Sequence, residues 1–333
     1  MREVWVDYAK ALGIILVVAG HVNRGLYSSG IYISKQFYTL FDSIIYSFHM
    51  PLFFFLSGLF FATSIEKKGK KKFFIDKLDT IFYPFVLWSL LQGGIEVILS
   101  QYTNSKTQLF DVLSFLFYPR AQFWFLYALL MIFIVAGIIY RKQTFTNSLP
   151  LIIVISFVAY IFSNTIGSTF HINYLTNNSI YFFLGCLFSK MSGRFQFRKN
   201  WKTLLIIAVL FIALEYIFHF ILKMTYVDIG VFTFILACTG IALITVLSMY
   251  LASLNIKILE MIGTLSMVIY LAHILAGSGS RIFLNKILHL QNWYIHMLTG
   301  TLIGVAVPIA IYFIAKKYNI NFLFSYPRHK KQI

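Results

Sequence analysis

Three ionisable residues, Asp7, Lys10 and His21, lie in the first apolar stretch of this chain. A titratable group inside an apolar segment is costly in a membrane and usually has a function there. Lys10 and His21 are eleven positions apart, which is roughly 16 Å along an α-helix. That distance is comparable to the extended pantetheine arm of coenzyme A. A cation at one end can therefore hold phosphate while an imidazole at the other end meets a thioester.

Each of these residues has a functional and a structural interpretation. An imidazole titrates near neutrality and accepts a proton from an attacking hydroxyl, so His21 is a candidate general base or, alternatively, a transient acyl carrier. It is otherwise a histidine that only hydrogen-bonds across helices. Lys10 is either a phosphate ligand or an interfacial lysine. Asp7 either orients Lys10 from three residues away or belongs to the helix start.

A second histidine, His49, comes shortly before Pro51 in the next apolar stretch. Proline inside a helix removes a backbone hydrogen bond and bends the helix. We expect this bend to turn His49 into a central cavity as a second catalytic residue, unless the kink is purely architectural. Ser57 and Gly58 follow, and small residues of this kind allow helices to pack closely.

Three further residues are candidates for binding. Lys77 precedes the Tyr83-Pro84 dipeptide, where we expect a kink, and is either a second contact for coenzyme A phosphate or a lysine that sets topology. Trp124 is either a stacking platform for a sugar or part of an interfacial aromatic belt. Arg120, close before it, would face an anionic sugar or a lipid diphosphate.

A polar stripe is predicted in a later segment. Ser266, Tyr270 and His273 follow one another at spacings of four and three, which places them on one helix face. The stripe predicts either a cavity lining that contacts substrate or a set of interhelical hydrogen bonds. Asp42 and Arg281 fall near segment ends and carry little information by themselves.

The composition predicts a membrane protein. Hydrophobic residues make up 59% of the 333 residues and charged residues 12%. Because a soluble protein cannot bury that many apolar side chains, we predict one all-α polytopic domain at residues 1–316, with a retained first helix, and a short basic tail at 317–333. About ten transmembrane helices around an internal cavity are expected, at 4–24, 41–65, 73–99, 121–140, 149–163, 178–190, 202–222, 229–251, 258–280 and 296–316.

The cations indicate orientation. The net charge of +17 does not indicate nucleic-acid binding, because most of the cations lie in short segments between apolar stretches, where they set topology. With the N-terminus in the cytoplasm, 21 of the 28 lysines and arginines fall on the cytoplasmic side and 7 on the other. This asymmetry predicts cytoplasmic N- and C-termini, with Lys67–Lys72 as a cytoplasmic loop that touches anionic lipid.

Several motifs resemble the membrane-bound acyltransferase family 3, in particular its branch of fucose O-acetylase-like sugar acetyltransferases. Lys10 stands where arginine is more usual in the family, and Ala128 stands where the O-antigen-type branch has glutamate. The resembling residues run through nearly the whole chain in the expected order: Asp7, Lys10, His21, His49–Gly58, Lys77, Tyr83-Pro84-Phe85, Phe123-Trp124-Phe125-Leu126-Tyr127, Gly263, Ser266, Tyr270 and His273.

The resemblance implies an O-acetyltransferase of a bacterial plasma membrane. It would move an acetyl group from cytoplasmic acetyl-CoA to a hydroxyl of a surface polysaccharide or lipid-linked glycan. It would hold no tightly bound cofactor, and its partners would be the glycan, membrane lipids and polysaccharide-assembly proteins. Zinc-type Cys/His spacing and Gly-rich phosphate loops are missing from the sequence, which disfavours metal and nucleotide hydrolysis. A secondary transporter or flippase for a glycan is the alternative, because kinked helices and buried histidines suit transport too.

Overall fold

The computed structural model describes residues 3–100, 107–167, 171–192 and 201–327. Within these ranges the chain is helical and contains no strand, which confirms the all-α prediction. Several cations of the topology count lie outside the described residues: Arg2, Lys106, Arg194, Arg198, Lys199, Arg328, Lys330 and Lys331.

The first half of the chain forms seven α-helices. These are α1 (Val4–Ser28), α2 (Lys35–Leu59), α3 (Phe61–Lys68), α4 (Lys70–Lys77), α5 (Tyr83–Ile98), α6 (Leu109–Leu113) and α7 (Trp124–Ile139). The second half forms eight more, namely α8 (Lys142–Ile161), α9 (Ser163–Ile166), α10 (Ile172–Ser192), α11 (Trp201–Tyr216), α12 (Val231–Ala252), α13 (Lys257–Thr264), α14 (Ser266–Ile282) and α15 (Trp293–Lys317).

Nine helical stretches of the described chain are long and apolar enough to cross a membrane. They correspond to nine of the ten predicted segments, so the chain is a polytopic membrane protein. The remaining segment, 178–190, lies in α10, which has 21 residues but is not among the nine. Asn173, Asn177 and Asn178 make its first half polar. This helix packs along α2 and α8, inside the bundle.

Contacts between distant segments define what we call the basic end of the bundle. Trp5 at the start of α1 contacts Phe188 near the end of α10, with 6.2 Å between ring centroids. Lys142 at the start of α8 lies 3.4 Å from Glu66 of α3. Consecutive spans therefore alternate in direction, and α1 runs from the basic end to the opposite end.

The lysine run differs from its prediction as a loop. It is helical on both sides of Gly69, because α3 ends at Lys68 and α4 begins at Lys70. Lysine is a good helix former, and only Gly69, with φ 75°, takes a conformation that favours glycine. Lys68 also lies 2.7 Å from Asp76, which ties the two short helices together.

Both prolines lie inside continuous helical stretches. Pro51 lies inside α2, which continues from Lys35 to Leu59. Pro84 follows a π-helical turn at Leu78–Phe82 within one helical stretch that runs from Lys70 to Ile98. Kinks are typical of prolines and π-helical turns, and the kink expected at Pro84 stays a prediction. The segment predicted at 258–280 is divided, at Leu265, into α13 and α14.

Two glycines bring α2 and α10 into backbone contact. A β-carbon built on Gly58 would lie 1.9 Å from the carbonyl oxygen of Phe182, and one on Gly185 would lie 2.0 Å from that of Phe55. Side chains at these positions would force the helices apart, so the close packing predicted for Gly58 is confirmed. The contact fixes α2, which carries His49, against α10.

The predicted orientation can be tested by labelling single cysteines at Lys70 and Lys35, which are both exposed and lie at opposite ends. In a background with Cys186 and Cys238 replaced by serine, we expect an impermeant maleimide added to intact cells to label Lys35→Cys and not Lys70→Cys. The positive-inside distribution is the reason. Labelling of Lys70→Cys from outside, with Lys35→Cys protected, would invert the orientation.

Candidate active site

Three histidines on α1, α2 and α14 meet in the interior around one tyrosine. The rings of His21 and His273 have centroids 4.9 Å apart. The ring of Tyr46 lies 6.4 Å from that of His21 and 4.5 Å from that of His49. The structure therefore brings together three of the predicted site residues, of which His273 is more than 200 positions from the other two in sequence.

Each imidazole is oriented by its own helix. The Nδ1 atom lies within hydrogen-bonding distance of a backbone carbonyl about one turn earlier: His21 with Val17 at 2.9 Å, His49 with Ile45 at 2.6 Å and His273 with Tyr270 at 2.7 Å. A carbonyl oxygen only accepts hydrogen bonds, so Nδ1 carries the proton in all three rings. The neutral rings then have their basic lone pair on Nε2, directed away from the helix backbone.

His21 differs from the other two histidines in its access to a cavity. Its side chain is partly exposed, whereas His49 and His273 are 0% and 1% exposed and their buried Nε2 atoms have no hydrogen-bond partner among the described residues. His21 and His273 line a cavity of about 420 Å³ that we call the catalytic cavity. His49 does not line it, contrary to the expectation that the Pro51 bend turns this ring into the cavity. Its catalytic role remains a prediction.

Arg24 forms one wall of the catalytic cavity. Its Nε and Nη2 atoms donate to the two carboxylate oxygens of Asp42 at 2.7 and 2.9 Å, and Nη2 also donates to the Tyr226 hydroxyl at 2.9 Å. The guanidinium carbon lies 3.5 Å from the centre of the Tyr46 ring. This bidentate ion pair with a cation–π contact joins α1, α2 and the segment before α12 at the end opposite the basic end.

A second arginine, Arg281, lines the same cavity and donates to the backbone carbonyl of Gly25. Among the described residues, two guanidinium groups line the cavity and one of them is paired with Asp42, which leaves one positive charge in excess. Sequence reasoning missed both arginines and Asp42. The sequence did contain an indication for Arg24 and Asp42. Arg24 follows His21 by three positions and Asp42 precedes His49 by seven, and residues at these spacings lie on the same helix face.

A second, narrower cavity of about 140 Å³ lies between α1, α2, α7 and α14. We call it the apolar passage. Ile14 and Val17 line it from α1, which places it between His21 and the basic end. Ser266 and Tyr270 line it from α14, two turns and one turn before His273 respectively, as the predicted polar face requires. The Tyr270 hydroxyl donates to the backbone carbonyl of Gln122.

Lys10 and Asp7 lie near the basic end, below the apolar passage. The Nζ atom of Lys10 is 3.8 Å from a carboxylate oxygen of Asp7, and Asp7 is 6% exposed while Lys10 is half-buried. Helix α13 packs directly on this turn, since a β-carbon on Gly263 would lie 1.7 Å from the Asp7 carbonyl oxygen. The pairing predicted for Asp7 and Lys10 is therefore present in the structure.

A family model for an acyltransferase domain matches residues 3–313, nearly the whole chain. The chain belongs to the acyltransferase 3 family. The match includes the three histidines, Lys10, Asp7 and both cavities. No curated protein and no solved structure matches this chain, so the family model is the comparison that identifies it.

Membership in the acyltransferase 3 family gives the bundle its activity class, which is acyl transfer in a membrane.

Two other residues predicted to bind ligands, Lys77 and Arg120, contact protein side chains outside the two cavities. The Nζ atom of Lys77 lies 3.8 Å from the centre of the Phe133 ring. Arg120 donates through Nη2 to Glu96 at 3.3 Å and to Thr107 at 3.0 Å. Neither side chain lines the catalytic cavity or the apolar passage. Their predicted roles in donor and acceptor binding remain predictions that these two cavities do not support.

Trp124 lines a third cavity of the acyltransferase. It is the first residue of α7 and its ring centroid is 5.6 Å from that of Tyr174 on α10. Both rings line a space that also borders Arg24. The predicted aromatic platform thus has an accessible cavity beside it.

Proposed function

We propose that this acyltransferase moves an acetyl group from acetyl-CoA to a sugar hydroxyl, with His21 as the general base. The donor enters from the basic end, and the acceptor enters from the opposite end. The observation that carries the proposal is the orientation of His21. Val17 fixes its Nδ1–H, which makes Nε2 the basic nitrogen of a partly exposed ring on the wall of the catalytic cavity.

The proposed reaction transfers one acetyl group and moves one proton by way of His21. The acceptor hydroxyl gives its proton to Nε2 of His21 while its oxygen attacks the thioester carbonyl carbon. The tetrahedral intermediate collapses with cleavage of the carbon–sulfur bond, and the proton on His21 passes to the departing coenzyme A sulfur. The positive charge of Arg281, which Asp42 does not balance, favours the negative charge that develops on the carbonyl oxygen.

The donor half of the proposal uses the distance between Lys10 and His21. Roughly 16 Å of α1 separates them, and the apolar passage lies beside this stretch of the helix. Lys10, oriented by Asp7, would hold coenzyme A phosphate at the basic end. The pantetheine arm would run through the passage and present the thioester to His21, where proximity lowers the barrier.

The acceptor half uses the opposite end of the molecule. The catalytic cavity begins at His21 and extends to Ser28 at the end of α1. A surface polysaccharide or lipid-linked glycan would reach His21 through it. In this account the basic end is cytoplasmic, the membrane is a bacterial plasma membrane, and the reaction modifies glycans made by a polysaccharide-assembly system.

The experiment that tests the proposal measures coenzyme A release by the purified protein. Acetyl-CoA and a bacterial oligosaccharide panel are supplied in detergent, free thiol is followed, and the saccharides are analysed by mass spectrometry. We expect saccharide-dependent thiol release together with acetyl esters, and less release with succinyl-CoA. Thiol release no faster than with heat-treated protein across the panel would contradict the proposal.

Replacement of Lys10 by alanine is expected to raise the KM for acetyl-CoA roughly ten- to hundredfold with little change in kcat. A lost charge-assisted contact is worth on the order of 1.5–3 kcal/mol, and Lys10 is too far from His21 to touch the reacting carbonyl. Lys10→Arg should restore much of the affinity, because the cation is kept. The measurement is initial rate against donor concentration in proteoliposomes.

A matched control is Lys257→Ala. Lys257 also lies near the basic end and pairs with the carboxylate of Glu260 at 3.4 Å, three positions away. Its removal should leave the donor dependence unchanged. A Lys10→Ala enzyme with normal donor dependence and a collapsed kcat would place Lys10 in the chemistry or the fold and remove it from phosphate binding.

A further inference from the structure

The third cavity, of about 490 Å³, opens between α2, α7, α10 and the segment before α12. We call it the asparagine cleft, after the four asparagines among its lining residues: Asn164, Asn173, Asn177 and Asn178. It meets the catalytic cavity at Arg24, which lines both, and the apolar passage at Met50. The cleft therefore adjoins the places proposed for both reactants.

Two amide groups of the cleft have unused hydrogen-bonding capacity. The side-chain oxygens of Asn173 and Asn177 are buried and have no hydrogen-bond partner among the described residues. A buried acceptor without a partner is costly and calls for a ligand or water donor. The two residues are one helical turn apart on α10, roughly 6 Å along the axis. That separation is comparable to the spread of hydroxyl groups across a hexose ring.

Aromatic rings flank these amides. Trp124 and Tyr174 meet at 42° with 5.6 Å between centroids, and Tyr160 and Tyr181 meet at 80° with 5.9 Å between centroids. Tyrosine and tryptophan offer an apolar face together with a polar atom. A sugar ring has the complementary surfaces, since its C–H faces stack on rings while its hydroxyls bond to amides.

The charge of the cleft selects among saccharides. Arg24 is the one charged side chain that lines it in the described part of the chain, and both of its carboxylate contacts are to Asp42. With Arg24 already neutralised, the cleft offers no spare cation to a uronate or a phosphate. A neutral saccharide needs none.

We propose that the asparagine cleft binds a neutral sugar unit of the acceptor, adjacent to the unit that is acetylated at His21. Tyr46 lines the cleft, and its ring lies 6.4 Å from that of His21, so this ring separates a sugar in the cleft from the base. The sugar in the cleft is therefore held for affinity, and its neighbour in the chain reacts. This inference rests on the proposed function, because it takes His21 to be the base that acts on the neighbouring sugar unit. It predicts that oligosaccharides bind better than single sugars.

The test measures saccharide binding separately from acetyl transfer. Saturation-transfer NMR on the full-length protein in nanodiscs would use a panel of neutral bacterial oligosaccharides, their monosaccharides and matched uronate-containing oligosaccharides. We expect saturable binding of neutral oligosaccharides. The double variant Asn173→Leu/Asn177→Leu should weaken it at least tenfold and leave acetyl-CoA binding unchanged.

Asn147→Leu is the matched control, because Asn147 is an exposed helical asparagine of α8 outside the cleft. The double variant removes two unpaired buried amides, so its thermal midpoint should equal or exceed that of the wild type. Asn177→Ser serves as a smaller change if the double variant expresses poorly, and it should weaken binding in the same direction.

Three results would overturn the inference. These are no saturable binding of any neutral oligosaccharide by the wild type, undiminished binding by a folded cleft variant, and equal or tighter binding of the uronate panel. Failure of the proposed function looks different. Saccharide binding that depends on Asn173 and Asn177, without any acetyl transfer, would leave the cleft standing and remove the acetyltransferase assignment.

Discussion

Replacement of His21 by alanine is expected to abolish O-acetylation while the protein remains in the membrane at its normal amount. General base catalysis contributes typically 10²- to 10⁴-fold to rate, and His21 is the partly exposed member of the three central histidines. One face of the His21 ring borders the catalytic cavity, so replacement by alanine removes few packing contacts and should leave the fold intact. Mass spectrometry of the acceptor glycan measures the product.

His289→Asn is a suitable control for the loss of a histidine. His289 is exposed and has φ 50°, a conformation that asparagine tolerates. Its replacement should leave product formation unchanged. His49→Ala probes the second catalytic assignment, and because His49 does not line the catalytic cavity we expect a smaller loss than for His21. Near-normal acetylation by the His21→Ala enzyme would show that the base is another group.

The second large effect is expected on stability, at the ion pair between Arg24 and Asp42. Arg24→Met leaves the carboxylate of Asp42, which is 5% exposed, buried without its guanidinium partner. Removing one partner of a buried pair typically costs about 3–5 kcal/mol. The free energy of unfolding, measured by denaturant titration in mixed micelles, should fall by about this amount.

The double variant Arg24→Met/Asp42→Leu separates stability from function. It removes both charges, so most of the lost stability should return, while acetyl transfer should stay impaired because the wall of the catalytic cavity has lost the guanidinium group of Arg24, although the net charge there is unchanged. Lys257→Met, which breaks the exposed pair with Glu260, should cost at most about 1 kcal/mol. Equal stability of Arg24→Met and the wild type would mean that the pair does not hold α1 to α2.

Much of the fold could be predicted from the sequence, because hydropathy is a strong signal when a chain must satisfy its backbone in lipid. The failures have local causes. The lysine run was expected to be a loop because of its charge, yet lysine favours helix and only Gly69 breaks it. Residues 258–280 were expected to form one segment, but the chain is divided there at Leu265.

The site was partly predictable. Lys10, Asp7 and His21 belong to one helix, so their spacing fixes their geometry, and the stripe on α14 does the same for Ser266 and Tyr270. The Arg24–Asp42 pair and the asparagine cleft join residues from different helices, and their meeting depends on the packing of α1, α2 and α10. A single sequence places Arg24 and Asp42 on the helix faces that carry His21 and His49, but it contains no direct signal that the two helices bring them together.

The measurement that tests the central claim most directly follows an isotopic label across the purified protein in oriented proteoliposomes. Acetyl-CoA with a ¹³C-acetyl group is supplied only on the side of the basic end, and a neutral oligosaccharide only on the other. We expect labelled acetyl esters on the saccharide, with one coenzyme A released per ester on the donor side. We expect neither product with His21→Ala. Saccharide that crosses the membrane unmodified, or ester formation that persists in His21→Ala, would contradict the central claim.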